Sequence, residues 1–274
     1  MGVTALHHRG GPGLVRALHG EWTKLRTLPS TGWLLLGLVA STVGLGAVTT
    51  WSIPTDCLDP DLGCREDLAR VNLTGVYLAQ IAVVVLAALA VTAEYGTQTI
   101  RVTLTAEPRR GLVFVAKAIV VTALVAGAGT VGVLGALAAG RPILSGNGFT
   151  TAAGYPPLSL GDEPTLRAAG GTVLYLLLVG LLSLGIGMSL RHTPAVLATV
   201  LSALFVWPIA ASLLSGEWAA RVMKYAPMNA GLAIQATERL DDLLIGPWQG
   251  LGVLAAYAAG TLLTGAVVFS LRDA

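Results

Sequence analysis

The sequence has little charge and few of the residues that enzymes use for chemistry. Only 12% of its 274 residues are charged and 54% are hydrophobic, whereas a soluble domain usually has about 25% charged residues. It has four histidines but no His-Glu-x-x-His motif, and no Gly-x-x-x-x-Gly-Lys-Ser/Thr loop that would cradle nucleotide phosphates. The composition therefore predicts an integral membrane protein without a soluble catalytic domain.

The basic residues do not indicate a nucleic-acid partner. The net charge is +2, and the 17 lysines and arginines are spread along the whole chain. A nucleic-acid-binding domain concentrates its basic residues on one face or stripe, and no such cluster is present in the sequence. Membrane lipids are the expected surroundings.

The apolar residues fall into six blocks, each close to the roughly 20 residues that an α-helix needs to cross a bilayer. The predicted spans are 33–51, 73–92, 112–139, 171–190, 195–214 and 251–271. The only charge between their ends is Lys117, which we expect to snorkel to the nearby interface. Pro208 lies inside the fifth span and predicts a kink or break there. The fold class is therefore all-α integral membrane, with residues 1–274 forming a single transmembrane domain.

Basic residues predict which side of the membrane the termini occupy. Four of them precede the first span: Arg9, Arg16, Lys24 and Arg26. With the N-terminus inside, ten of the 17 bases fall on the inside loops, so the positive-inside rule predicts that both termini are cytoplasmic. About thirty residues precede the first span and no small-x-small site follows it, so we do not expect a cleaved signal peptide.

The two cysteines, Cys57 and Cys64, fall in the same predicted outside loop. Disulfides persist outside the cytoplasm, and this spacing allows the two thiols to bond. Two free thiols in a loop remain the alternative. We expect no metal site, because no histidine lies nearby.

An amphipathic helix is predicted over residues 13–29, after a flexible tail at 1–12. Its apolar residues share one narrow arc at 100° per residue: Leu14, Leu18, Trp22 and Leu25. Bases occupy much of the remaining surface, a pattern typical of a helix that lies in the membrane interface. The alternative is an ordinary basic flank with accidental periodicity.

A second cytoplasmic element follows the second span, over residues 94–110. Ile100 and Leu104 lie one helical turn apart, and Pro108 would end a short helix there. Such a helix is a lever that another protein can push, whereas the alternative is a solvated loop. Because the spans lack mid-membrane charges, ion-coupled transport is not favoured, and energy for any transport would come from another subunit.

Three stretches resemble the membrane (permease) subunit of type-2 ABC transporters, a bacterial export family. Residues 21–26 look like the family's elbow helix. Residues 94–101, with Pro108, Arg109, Arg110 and Lys117, look like its coupling-helix loop between spans 2 and 3. Residues 215–250 match the position of its short re-entrant helices before span 6. The apolar residues of that segment are expected to dip into the outer leaflet: Trp218, Met223, Tyr225, Met228, Leu232 and Ile234.

The resemblance implies a permease in the bacterial cell membrane that exports a small molecule, drug or lipid-like substrate. A separate ATP-binding cassette ATPase would use the ATP, and a second permease copy or related chain would complete the pathway. The permease itself would be no enzyme and hold no cofactor. The implied ATPase-coupling loop comprises Glu94, Tyr95, Thr99, Ile100, Arg101, Leu104, Pro108, Arg109 and Arg110. The implied elbow helix comprises Leu14, Leu18, Glu21, Trp22, Lys24, Leu25 and Arg26.

Two other functions remain open from the sequence: a membrane-embedded sensor or anchor, and a lipid-modifying enzyme. An enzyme acting on lipid needs a polar cluster at interface depth. The candidate cluster is Glu94, Arg101, Arg109 and Arg110, and it lacks a nucleophile paired with a base.

Overall fold

The computed structural model describes residues 13–54, 66–97, 99, 105, 109–153, 155, 158–213 and 216–271. Within these ranges the regular structure is helical and contains no strand. Six of the described helices are long and apolar enough to cross a membrane. The predicted all-α, multi-pass membrane class is therefore confirmed.

Nine helices are numbered here in chain order within the described residues. They are α1 (Gly13–Thr27), α2 (Pro29–Trp51), α3 (Leu68–Gly96), α4 (Arg110–Gly146), α5 (Glu163–Leu190), α6 (Thr193–Ser212), α7 (Glu217–Tyr225), α8 (Pro227–Leu232) and α9 (Pro247–Leu271). Short 3₁₀ turns lie at Leu73–Gly75 within α3, and at Thr151–Ala153, Ala233–Gln235 and Leu240–Asp242. The six membrane-length helices are α2, α3, α4, α5, α6 and α9.

Two of these helices, α3 and α5, begin before their apolar blocks, at an aspartate that caps the first turn. Asp67 accepts a hydrogen bond from the backbone N–H of Arg70 (3.1 Å) and starts α3. Asp162 does the same for Thr165 at the start of α5. An aspartate at this position satisfies an N–H group that has no partner within the helix. A hydropathy profile therefore predicts only the apolar central part of each such helix.

Two prolines, Pro208 and Pro142, lie inside helices. The helix α6 is not broken at Pro208; instead a π-helical turn at Ser202–Val206 precedes its last segment, Trp207–Ser212. A π-turn is one way for a helix to absorb a residue that cannot donate a backbone hydrogen bond. The helix α4 runs through Pro142 to Gly146, beyond the predicted end of the third span.

The helices pack in a bundle with α5 near its centre. The helix α5 contacts α3, α4 and α9, while α2 packs between α3 and α4. The helices α5 and α9 approach closely, and a Cβ added to Gly185 would lie 2.5 Å from the backbone carbon of Thr261. Small residues at such crossings let the backbones of membrane helices come into direct contact.

All six tryptophans of the sequence are exposed in the bundle, which would be unusual for a water-soluble protein. They are Trp22, Trp33, Trp51, Trp207, Trp218 and Trp248. Most lie close to the ends of their helices. Tryptophan is enriched at membrane–water interfaces, where its ring is apolar and its N–H is hydrated, so this distribution agrees with a membrane-spanning bundle.

Polar contacts mark the two ends of the bundle. At one end, called the α1 end, Arg110 Nη1 donates a hydrogen bond to the carbonyl of Phe269 (3.3 Å). At the opposite end, Arg167 Nη2 donates to the carbonyl of Ala236 (2.7 Å). Asp67, also at the opposite end, accepts from the hydroxyl of Thr237 (2.6 Å). The contacts of Arg167 and Asp67 tie the segment between α8 and α9 to the starts of α5 and α3.

Candidate functional site

A buried lysine joins three helices at the α1 end. Lys117 Nζ on α4 donates to Glu21 Oε2 on α1 (2.5 Å) and to Glu94 Oε1 on α3 (3.0 Å). It also donates to the carbonyl of Ala90 (2.8 Å). All three hydrogen-bonding directions of the ammonium are therefore satisfied by protein atoms.

A second lysine completes the arrangement from the other side. Lys24 Nζ lies 2.8 Å from Glu21 Oε1 and 2.9 Å from Glu94 Oε1. Two carboxylates and two ammonium groups thus alternate, and their formal charges cancel. These four residues, Glu21, Lys24, Glu94 and Lys117, are called the four-charge cluster below.

The cluster is largely shielded from solvent. Lys117 is 2% exposed, Glu21 3% and Glu94 8%, whereas the Lys24 side chain is 40% exposed and opens toward the surface. Burying charges is costly, and removing one partner of a buried ion pair typically costs about 3–5 kcal/mol. The cluster is therefore expected to hold α1 firmly against α3 and α4.

The local sequence explains how α1 presents its acid. Glu21 falls on the same helical arc as Leu14, Leu18 and Leu25, and that arc faces the bundle. Leu25 is buried in the core and Leu18 packs against it. An acid on the apolar arc of an amphipathic helix, together with a lysine inside a span, was the signal in the sequence for this pairing.

Two predictions about Lys117 are wrong. It does not snorkel to the interface, because its ammonium is buried and bound to Glu21 and Glu94. The expectation that the spans bury no charge is also wrong, since Lys117 lies inside the predicted span 112–139 and is buried, whereas Glu94 lies just beyond the predicted span 73–92. The prediction failed because it examined each span alone, whereas the partner Glu21 lies on a helix outside the spans.

The cluster changes the proton affinity of Lys24. Burial by itself lowers the pKa of its ammonium group. Hydrogen bonds and charge attraction from Glu21 and Glu94 outweigh that effect, so the pKa of Lys24 lies above its usual value. The cluster therefore holds Lys24 in its charged form at neutral pH.

The predicted coupling loop begins later than expected. Glu94 and Tyr95 belong to α3, which ends at Gly96. The guanidinium of Arg191 lies 4.9 Å from the centre of the Tyr95 ring, a distance typical of a cation–π contact. Arg191 ends α5 in the left-handed conformation (φ 59°), so this contact joins the ends of α3 and α5.

The structure describes part of the loop itself. Thr99 and Thr105 are helical and exposed, Arg109 is the N-cap residue of α4, and Arg110 contacts α9 as above. Four of the predicted coupling residues lie outside the described residues: Ile100, Arg101, Leu104 and Pro108. Their roles remain predictions.

The helix α1, from Gly13 to Thr27, lies where the amphipathic helix was predicted; its role as an elbow stays a prediction. Trp22, which was predicted on the apolar arc, is 42% exposed at the flank of that arc. Arg26 is exposed on the surface away from the bundle. The predicted flexible tail, residues 1–12, lies outside the described residues.

The segment before the last span forms the two short helices α7 and α8, but part of its predicted lipid contact is wrong. Met228, Leu232 and Ile234 are buried inside the protein. Nearby, the hydroxyl of Tyr175 donates to Gln80 Oε1, and Gln80 Nε2 lies 3.3 Å from the sulfur of Met228. The sequence analysis did not identify Gln80 and Tyr175, because the pattern around a single amide or phenol inside an apolar block does not indicate which residue it contacts.

The cysteines and metal ligands add no further site. Cys57 and Cys64 lie outside the described residues, so their disulfide remains a prediction. In the part of the chain that the structure describes, no group of three His, Cys, Asp or Glu side chains is placed to hold a metal ion.

Comparison with known proteins does not identify a family. No protein-family model matches the chain, and no curated protein matches it in sequence.

Proposed function

We propose that this chain is the permease subunit of an ATP-binding cassette transporter in the bacterial cell membrane. A separate ATPase subunit binds at the α1 end, which faces the cytoplasm together with both termini. The permease exports a small molecule, drug or lipid-like substrate and works with a second copy or a related chain. The basic residues ahead of the first span support this orientation.

The observation that carries the proposal is the position of the four-charge cluster. Glu94 lies just before the segment that joins α3 to α4, and Lys117 lies about two helical turns after the start of α4. Both residues bind Glu21 of α1 or its neighbour Lys24. Any protein that presses on this segment therefore displaces α1, α3 and α4 together.

The energy of the cluster favours such concerted movement. Separating one helix from the others would leave a buried charge without its partner, at a typical cost of about 3–5 kcal/mol. Bending the bundle elsewhere avoids that cost. The cluster thus suits a connection that transmits force, which is what a permease driven by an external ATPase needs.

The character of α1 also supports the proposal. One arc of this helix contacts α4 and the core, while Trp22 and Arg26 remain exposed. Trp22 suits the headgroup region and Arg26 suits anionic lipid. A helix with this division lies along the membrane surface and resembles an elbow helix. The absence of a phosphate-binding loop in the sequence agrees with an ATP site on another protein.

The proposal is tested by binding to an ATP-binding cassette protein encoded beside this chain. The tagged full chain and that ATPase are co-expressed, purified together from membranes and assayed for ATP hydrolysis. The variant Ile100→Asp with Leu104→Asp is expected to weaken the complex tenfold or more, since losing a buried interface anchor costs about 2 kcal/mol or more. The control variant is Leu240→Asp with Leu244→Asp, which places the same charges on exposed leucines at the opposite end.

The control should bind the ATPase as the wild type does. If the chain inserts normally but never associates with such an ATPase, the proposal fails and a sensor or anchor is favoured. If the Ile100→Asp/Leu104→Asp variant binds the ATPase as well as the Leu240→Asp/Leu244→Asp control does, the segment between α3 and α4 is not the coupling element.

A further inference from the structure

A cavity of 390 Å³ opens between α6, α7 and α9. Four aromatic side chains and one guanidinium group line much of it: Trp207, Trp218, Tyr225, Tyr257 and Arg221. Cavities of about 300–1,000 Å³ are the usual size of small-molecule sites. This cavity is therefore large enough for part of a lipid or a comparable ligand.

The π-helical turn of α6 helps to form the cavity. Ala203 lies in that turn and lines the cavity wall, and its small side chain leaves space that a larger residue would fill. The helix α7 packs back against Trp207–Ser212, the last segment of α6. π-turns are rare and are often found at functional sites.

The cavity has a charged side and an apolar depth. Arg221 lies on α7, with 70% of its side chain exposed. Tyr257 lies about ten residues into α9, or about 15 Å from the start of that helix along its axis. A ligand that reaches both residues must be polar at one end and apolar along its length.

Three hydrogen-bond donors in the cavity wall have no acceptor in the part of the chain that the structure describes. The indole N–H groups of Trp207 and Trp218 and the hydroxyl of Tyr257 have no hydrogen-bond acceptor among the described residues. Tryptophan and tyrosine at a membrane interface pair their polar atoms with water or with lipid oxygens. These donors suit a ligand that carries oxygen acceptors near its polar end.

The charges of α7 favour an anionic polar end. Arg221 Nη2 lies 3.3 Å from Glu217 Oε2, and this pair is exposed to solvent. Lys224 lies on the same helix, with its ammonium 5.5 Å from the centre of the Tyr225 ring. Two positive charges and one negative charge leave an excess of one positive charge beside the cavity. Arginine also has further N–H donors for a phosphate group.

We propose that this cavity binds a single anionic phospholipid, independently of whether the chain is a permease. Its phosphate pairs with Arg221, its ester oxygens accept from the tryptophan N–H groups, and an acyl chain lies between α6 and α9 toward Tyr257. Free phosphate would leave the apolar depth unfilled, and a zwitterionic lipid would gain less from the excess positive charge.

Native mass spectrometry of the full chain in detergent tests the proposal, by titration with phosphatidylglycerol and with phosphatidylcholine. One phosphatidylglycerol molecule should bind more tightly than phosphatidylcholine. Arg221→Gln should weaken phosphatidylglycerol binding about tenfold, the effect of losing one charge-assisted contact, and should weaken phosphatidylcholine less, because its choline ammonium already offsets the charge of its phosphate. Arg239→Gln is the matched control, because Arg239 is also exposed and paired with an acid, Asp242 (3.9 Å), but does not line the cavity.

Two further variants separate binding from general damage to the fold. Glu217→Gln frees Arg221 from its carboxylate and should strengthen phosphatidylglycerol binding, which a destabilised protein would not do. Ala203→Phe fills the cavity and should weaken both lipids. Equal binding of the two lipids by the wild type, or equal effects of Arg221→Gln and Arg239→Gln, would overturn the proposal.

Discussion

Replacing Lys117 with methionine tests the central feature of the fold at the α1 end. Methionine has a similar length and fills the space of the lysine stem, so the change removes the charge with little loss of packing. It leaves the carboxylates of Glu21 and Glu94 buried, with Lys24 as their remaining partner within the cluster. The variant therefore isolates the contribution of one buried ammonium group.

The expected loss is about 3 kcal/mol, at the lower end of the range of about 3–5 kcal/mol for breaking a buried ion pair. The lower end applies because Lys24 still contacts both carboxylates and is partly hydrated. For a protein of this size, each kcal/mol shifts the melting temperature by about 2–4 °C, so the expected decrease is about 6–12 °C.

The assay is thermal unfolding of the purified chain in detergent, followed by intrinsic fluorescence. Lys224→Met is the matched control; Lys224 lies outside the cluster at the opposite end, and its replacement should change stability by less than about 0.5 kcal/mol. The double variant Lys117→Met with Glu94→Gln should lose less than the sum of the single changes, because one orphaned carboxylate is also removed. Equal melting temperatures for Lys117→Met and Lys224→Met would refute the buried cluster.

Two further predictions concern packing and pH. Gly185→Ala should lower stability by about 1–3 kcal/mol, because the added Cβ would lie 2.5 Å from the Thr261 backbone. Gly260→Ala is the control: a Cβ there would meet no atom within 4 Å, so this variant should not lower stability in the same thermal assay. Since the pKa of Lys24 is raised in the fold, its contribution to stability is complete below the unfolded pKa of about 10.4 and disappears as pH rises through the folded pKa. The stability difference between the wild type and Lys24→Met should therefore shrink in strongly alkaline buffer, and a difference that grows there would contradict this sign.

The membrane class and the approximate spans were predictable because they depend on local composition. Each span is a long apolar block, and the energy of placing such a block in a bilayer depends little on its neighbours. The ends of the helices were less predictable. Residues such as Asp67 and Asp162 extend α3 and α5 into polar sequence by capping them, and a hydropathy average does not register a single capping residue.

The four-charge cluster was not predicted, although all of its residues had been noted individually. Lys117 and Glu21 are 96 positions apart, and Lys117 and Glu94 are 23 apart. Periodicity and hydropathy describe neighbours along the chain and carry no information on which helices meet. The pairing depends on α1 lying across α3 and α4, which is a property of the assembled bundle.

The cluster also bears on the order in which the fold assembles. A lysine within a span facing lipid would be costly, and one bonded to buried carboxylates is far less so. Burying Lys117 is therefore favourable only when α1 is in place. Burying Glu21 is likewise favourable only when Lys117 is present in the bundle to pair with it. Glu21 of α1 neutralises the buried Lys117 of α4, and Lys117 neutralises Glu21. The helix α1 is therefore an integral part of the membrane domain. Removing it would leave Lys117 and Glu94 without Glu21 and Lys24 and would expose the apolar surface against which Leu18 and Leu25 pack.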